Sequence, residues 1–374
     1  MKTKSTALLL VIAAALILAV SCSTSVSVST WAPSTSGIAG YKTIAIRETT
    51  PYSGRLSGSS AYVSVRIDPY ALAIPTELYY LNSYYDTKIA SNVAKSTTGV
   101  IQNALSQGVF TVYNSTATEG FIATAQISGQ KVSDVLKKNG VELLLTSKVE
   151  SMDYNEYITI QQVVDARGMI TGYNFYLNQS ASVTFSIMLQ DVETLSILWQ
   201  KNFSKKTNPY TTRIGFQETN GLFRWISRDS SYQVEEMFNS MIRSFSTEIK
   251  NALTPHRIST SFKLMENKKN SETMKKGLEY ADDGIYASAL AMFQIEWEAT
   301  QNMAAGYNVA VMYFALAKYD DAVNMAKELW STTGSPDAYE LLSQMQSLIK
   351  TQQAAIDQIN GEKTAPQNSQ DLIL

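Results

Sequence analysis

The chain has one cysteine, Cys22, and one histidine, His256, in 374 residues. A lone thiol cannot close a disulfide within the chain, so no disulfide framework supports the fold. Zinc centres built from several Cys and His ligands are excluded on the same count. A Ser–His–Asp hydrolase would have to use His256, which sits in Leu253-Thr254-Pro255-His256-Arg257, a stretch that reads as a solvated linker after a helix. Net charge is also small: 31 Lys and Arg against 33 Asp and Glu leave −2. That balance lacks the positive surface that nucleic acid requires, so no nucleic-acid partner is expected. There is no Gly-x4-Gly-Lys-Ser/Thr phosphate loop, no Gly-x-Gly-x-x-Gly after a strand and no Gly-x-Ser-x-Gly elbow. No metal and no small-molecule cofactor are therefore expected. The pairs Asp282/Asp283 and Asp320/Asp321 fall at helix turns, where carboxylates cap helices.

Long apolar runs are equally scarce, and the one that exists lies at the start. Met1-Lys2-Thr3-Lys4 is basic, Ala7 to Val20 is mostly apolar, and Ser21-Cys22 follows. This is the plan of a secretory signal. Its apolar core, about 14 residues, is too short to span roughly 30 Å of hydrocarbon as a helix. Ala19-Val20-Ser21-Cys22 resembles the bacterial lipobox, with Ala19 where Leu is usual. The resemblance implies that residues 1–21 are removed and that Cys22 is acylated, which anchors the chain to a membrane. One acyl chain holds a protein only marginally; lipoproteins of this kind carry two or three on the cysteine. The small polar stretch Ser23 to Thr30 reads as part of a flexible tether over residues 22–39. It carries no acidic cluster beside the cysteine, which favours an outer-membrane lipoprotein facing the periplasm.

The remainder predicts an α+β domain at 40–253, a charged linker at 254–270, an all-α module at 271–350 and a disordered tail at 351–374. In the α+β domain, Tyr41 to Ile46 opens as a strand, and Lys88 to Leu105 has helical apolar spacing that stops before Gly108. Val109 to Tyr113 reads as a strand, Val132 to Lys138 as a short helix and Val141 to Val149 as an apolar strand. From Tyr154 to Phe203 the pattern is β-rich, with a hairpin tip at Asp165-Ala166-Arg167-Gly168 and a turn at Asp191 to Thr194. Gln233 to Ile249 carries Val234, Met237, Phe238, Met241, Ile242, Phe245 and Ile249 at helical spacing. The order β-α-β-α-β-β-β-α predicts a mixed sheet with helices packed on it.

Two segments carry a family likeness. Asn139-Gly140-Val141-Glu142-Leu143-Leu144-Leu145-Thr146 stands in the place of a Gly-Ala-Asp-x-Ile-Leu-x-Gly signature. Val183 to Thr194 stands in the place of a strand ending in Asp-Thr-Glu-Thr-Gly. With the opening strand at Lys42 to Ile46, this resembles the envelope domain of curli-secretion lipoproteins, of outer-membrane activators of peptidoglycan synthases and of the Tol–Pal-associated propeller protein. The resemblance covers roughly 200 residues. The insertions 50–86 and 205–229 depart from the minimal domain. Lys42, Asp191 and Glu193 read as a strand-edge and turn feature.

The C-terminal region repeats itself. Gly277, Tyr280, Ala289 and Phe293 recur 33 residues later as Ala310, Tyr313, Ala322 and Ala326. This resembles the tetratricopeptide repeat, whose small positions let paired helices approach and whose surface binds peptides or proteins. Pro336 to Ile349 reads as a capping helix. Tyr286, Trp297 and Trp330 are the candidate partner-binding residues. The expectation is a non-enzymatic envelope lipoprotein that binds a protein partner, scaffolding or regulating envelope assembly. The alternatives are a subunit of an oligomeric outer-membrane secretion pore, with Tyr154–Val164 and Gly172–Phe185 as its hairpin, and a hydrolase whose site is assembled in space.

Overall fold

The computed structural model describes residues 24–54, 56–67, 72–84, 87–207, 210–214, 217–219, 222–224, 230–266 and 271–361. Cys22, the signal segment and most of the C-terminal tail lie outside them. The chain divides into two compact units, Met1–Pro33 with Arg257–Ile356, and Ser34–His256 with Asp357–Leu374.

The larger unit is the α+β domain. Its first strand in the sheet, β2 (Thr43–Ile46), lies between β5 (Thr111–Tyr113) and the start of β6 (Leu143–Val164), parallel to both. β6 forms a hairpin with β7 (Ile170–Asp191), each strand 22 residues long, and β7 also pairs with β8 (Ile197–Lys206) and β9 (Tyr210–Ile214). The 50–86 insertion contributes the hairpin β3 (Ser57–Ile67) and β4 (Ala73–Tyr84). The 205–229 insertion contributes β9, β10 (Gln217–Thr219) and β11 (Leu222–Arg224). Ten strands join this sheet among the described residues.

Alternation along β2 and β6 sends side chains to two faces. Ile44, Ile46, Leu143 and Leu145 bury themselves under α1 (Thr87–Ser106), α4 (Ser230–Ser244) and α5 (Ser246–Leu253), through Val93, Ile101, Phe238, Ile242 and Ile249. Phe185, Phe203 and Phe245 close that core as a ring cluster, with centroids 5.1 to 5.8 Å apart. On the other face, Ala45 and Leu144 meet Leu136 of α3 (Val132–Lys138) and Phe121 of α2 (Ser115–Ser128). Helices therefore cover both faces. The single helix expected at Gln233–Ile249 is two, divided at Phe245.

α2 is absent from the sequence reading because Thr, Ser and Gly dilute its apolar stripe; only Thr118, Ile122 and Ala125 are buried. Its ends carry the signal instead. Asn114 Oδ1 accepts from the Ala117 amide at 2.8 Å, and Gly129 ends the helix at φ +67°.

The smaller unit departs from expectation at its edges. The segment read as a tether holds β1 (Ser25–Ala32), and the segment read as a linker holds β12 (His256–Lys263), on which His256 is half-buried. These pair as a two-stranded ribbon, with the Ser27 and Ser259 hydroxyls 2.6 Å apart and the Leu264 amide donating to Thr24 at 2.9 Å. Val26 and Val28 enter the same core as Met274, Phe293 and Phe314. The ribbon packs against the helices because Ser-Val-Ser-Val-Ser-Thr alternates: one face is apolar, the other polar.

Five helices follow: α6 (Glu272–Asp282), α7 (Tyr286–Thr300), α8 (Met303–Ala315), α9 (Tyr319–Thr333) and α10 (Pro336–Asn360). α10 runs past the expected end at Ile349, so the first ten residues of the segment read as a disordered tail are helical. Buried Ala355 and Gln358 hold that extension, and the Gln358 side chain exchanges hydrogen bonds with the Ser34 amide and hydroxyl at 2.7 Å each.

Candidate functional site

The helical unit repeats in backbone conformation as well as in sequence. α7 and α9 are each 15 residues and start 33 apart. The turn residues Gly284 (φ +74°) and Ala317 (φ +58°) correspond, as do the C-terminal caps Gln301 (φ +52°) and Gly334 (φ +64°). The Ile285 amide bonds to Tyr280 O at 2.8 Å and the Lys318 amide to Tyr313 O at 2.9 Å, again 33 apart. The small positions do what close helix packing requires: a Cβ on Gly277 would sit 2.5 Å from the Phe293 ring, and Ala289, Ala310 and Ala322 are fully buried.

Two candidate residues, Trp297 and Trp330, occupy the same repeat position, yet their surroundings differ. Trp297 is 8% exposed and Trp330 is 44% exposed. The residue nine positions later differs between the two. After Trp297 this is Gly306, and the indole fills its missing side chain: a Cβ there would lie 2.9 Å from the Trp297 ring and from Leu329 Cδ1. After Trp330 it is Tyr339, itself 55% exposed, whose ring stands 5.4 Å from the Trp330 ring at 54°. The first indole packs over a glycine in the core, and the second stands beside an exposed tyrosine. Trp297 is thus a core residue, while Trp330 and Tyr339 form an exposed aromatic pair on two helices. Tyr286, the third candidate, is half-buried against the helical core. Sequence reasoning missed Tyr339; aligning it with Gly306 across the 33-residue offset would have found it.

In the larger unit, a cleft of about 520 Å³ is lined by Lys42, Thr43, Lys137, Gly140, Val141, Glu142 and Glu193. Two of its charged groups, Glu142 and Lys42, have structural work. Glu142 Oε2 accepts from the Lys42 and Thr43 amides at 2.6 and 3.0 Å, and Lys42 Nζ donates to the Ile359 carbonyl. Beside it, Asp191 organises the β7–β8 turn. Its Oδ1 accepts from the Glu193 and Thr194 amides at 2.7 Å each, and its Oδ2 from the Tyr41 hydroxyl at 2.6 Å. Burial pushes the Asp191 carboxyl up, but these hydrogen bonds outweigh it and hold the group below its ordinary value. Burial, with the adjoining carboxylate, pushes the Tyr41 phenol well up. The arrangement is a braced turn.

Within the β6–β7 hairpin, Glu156 is buried opposite Gln179. Its Oε2 accepts from the Tyr154 hydroxyl at 2.7 Å and from Gln179 Nε2 at 3.3 Å. This pair divides the main core, which ends at Tyr154 and Ala181, from a smaller one at Val63, Val65, Ile158, Phe175 and Leu177. Burial raises the Glu156 pKa, and the two hydrogen bonds offset part of the rise.

Among the described residues no cluster of three or more His, Cys, Asp or Glu side chains is placed to hold a metal ion, and no helix is long and apolar enough to cross a membrane. No protein-family model and no curated protein matches the chain. A solved structure of a neuraminyllactose-binding hemagglutinin homolog from Helicobacter pylori is similar at 10% identity, over 65% of this chain and 91% of that one, with a TM-score of 0.27.

Proposed function

We propose that this chain is a non-enzymatic envelope lipoprotein, anchored through Cys22 on the periplasmic side of the outer membrane, that binds a protein partner and scaffolds or regulates envelope assembly. The observation that carries the reading is the exposed Trp330–Tyr339 pair on a tetratricopeptide-like helical unit. Large aromatic side chains fixed on rigid helices contribute binding energy at small entropic cost, and such residues dominate protein interfaces. The lipobox-like Ala19-Val20-Ser21-Cys22 supports the anchor.

The test is capture of partners from the native envelope with the acylated chain, with Cys22→Ala, and with Trp330→Ala joined to Tyr339→Ala. The expected result is one partner whose affinity falls about 30-fold, some 2 kcal/mol, on loss of the aromatic pair. A partner retained equally by the double variant removes the aromatic surface from the reading. Turnover of an envelope substrate by the purified chain, abolished by a point substitution, refutes the non-enzymatic role.

A further inference from the structure

The long β6–β7 hairpin ends in a tip whose composition the fold does not explain. Every residue from Gln161 to Thr171 is exposed. Four of them, Val163, Val164, Met169 and Ile170, are large and aliphatic, with Met169 at 66% exposure. Val164 and Ile170 stand opposite each other. The smaller core of the hairpin ends before them, at Ile160 and Tyr173, so none of the four contributes to it.

The turn that presents them is well braced. The Asp165 amide donates to Met169 O at 2.9 Å, and the Gly168 amide to Asp165 O at 3.0 Å. Gly168 adopts φ +78°. Asp165 Oδ1 accepts from the amides of Arg167 and Met169 at 2.8 and 2.9 Å, which engages the carboxylate inside the turn. The Arg167 guanidinium has no ion pair or hydrogen bond among the described residues. The tip is therefore a rigid wedge with aliphatic shoulders and one unpaired cation at its apex.

We propose that this tip inserts shallowly into an anionic bilayer surface, the aliphatic side chains entering the boundary between headgroups and acyl chains and Arg167 pairing with lipid phosphate. Three features favour a bilayer over a protein. The four side chains expose a few hundred Å², well short of the about 800 Å² per partner of a stable protein interface. The tip contains no aromatic residue, the type that dominates protein hot spots. From Val163 to the apex the chain reaches about 10 Å at 3.3 Å per residue, which matches the depth of interfacial insertion, about 5–10 Å. Each exposed strand arm, Gln161–Val164 on β6 and Ile170–Thr171 on β7, is too short to span, since a transmembrane strand needs about 9–11 residues. The proposal rests on the reading of the chain as membrane-held: a weak wedge gains from a second attachment that raises its effective concentration.

The test uses a chain beginning at Ser23, which keeps every described element and removes both the apolar leader and the only cysteine. Ala166→Cys then supplies a unique thiol at the tip for an environment-sensitive fluorophore, and Glu193→Cys supplies one at the turn that ends β7. Vesicles of equal parts phosphatidylcholine and phosphatidylglycerol should shift the label at position 166 to the blue and leave that at 193 unchanged. Met169→Asp with Ile170→Asp, at an unchanged melting midpoint, should lower vesicle partitioning by about tenfold or more. No shift at 166, an equal shift at 193, or undiminished partitioning of the double variant overturns the proposal. Acylation of Cys22 is read separately, by mass spectrometry of the full chain, so failure of the wedge and failure of the anchor are distinguishable.

Discussion

Asn308 offers a sharp test of how the helical unit holds its ribbon. It lies in α8, fully buried, a place where an amide side chain is tolerated only if its groups are paired. The pairing is complete in both directions: Oδ1 accepts from the Met265 amide at 2.8 Å, and Nδ2 donates to the Met265 carbonyl at 2.9 Å. The side chain thus supplies the missing ladder partner for the backbone that leaves β12. Asn308→Ala removes both bonds and leaves two backbone groups next to a cavity. An unpaired buried group costs about 1–3 kcal/mol; Met265 is half-buried, so about 1–2 kcal/mol for each of its two groups gives an expected loss of about 2–4 kcal/mol. For a unit of about 100 residues each kcal/mol moves the midpoint by about 4–8 °C, and the melting transition of the helical unit should fall by about 8–32 °C. Hydrogen exchange gives the local readout, since the Met265 amide should lose at least about tenfold in protection. Asn308→Asp keeps the acceptor but faces the Met265 carbonyl with a second one. It should be worse than alanine at neutral pH and should recover on acidification, when the protonated carboxyl can donate. A midpoint drop under about 2 °C, with Met265 protected as in the parent, would refute the role assigned to Asn308.

Two further substitutions probe the larger unit. Glu156 has a folded-state pKa above its unfolded value, so its stabilising effect is present in acid and is lost as pH rises through the folded pKa. Glu156→Gln should therefore raise the melting midpoint at neutral pH, with the gain vanishing below about pH 4; a loss at neutral pH would count against the burial argument. Asp191 behaves oppositely, its contribution being present above the unfolded pKa and lost as pH falls through the depressed folded value. Tyr41→Phe should cost about 1.5–3 kcal/mol at neutral pH by removing a hydrogen bond to a charged group. In denaturant titrations that cost should shrink below about pH 4; a cost independent of pH would place the effect in packing instead.

Much of the architecture was legible in the residues, for physical reasons that can be named. Lys88 to Leu105 has a strong apolar period, and the helix forms within one residue of each end. Asp165 and Gly168 carry the turn chemistry that ends β6 and begins β7. The 33-residue offset predicted paired helices because small residues recur where backbones must approach. Where composition and pattern disagree, the pattern prevails. Ser25 to Thr30 is small and polar, hence the expectation of a tether, although its strict alternation fits a half-buried strand. α2 was hidden because its signal lies in its caps, Asn114 and Gly129, rather than in an apolar stripe.

The sequence by itself determined the identity of each surface: a lone cysteine after an apolar leader, too few histidines for the commonest catalytic sets, and a helical repeat with two equivalent tryptophans. Only the tertiary structure decided which of those groups solvent can reach. Trp297 and Trp330 are the same residue at the same repeat position, and the sequence marks only the residue nine positions later as different. Their surroundings diverge: one indole packs over Gly306 against Leu329, and the other stands beside the exposed ring of Tyr339. Exposure depends on the neighbours that packing brings close, and those differ between two otherwise equivalent indoles.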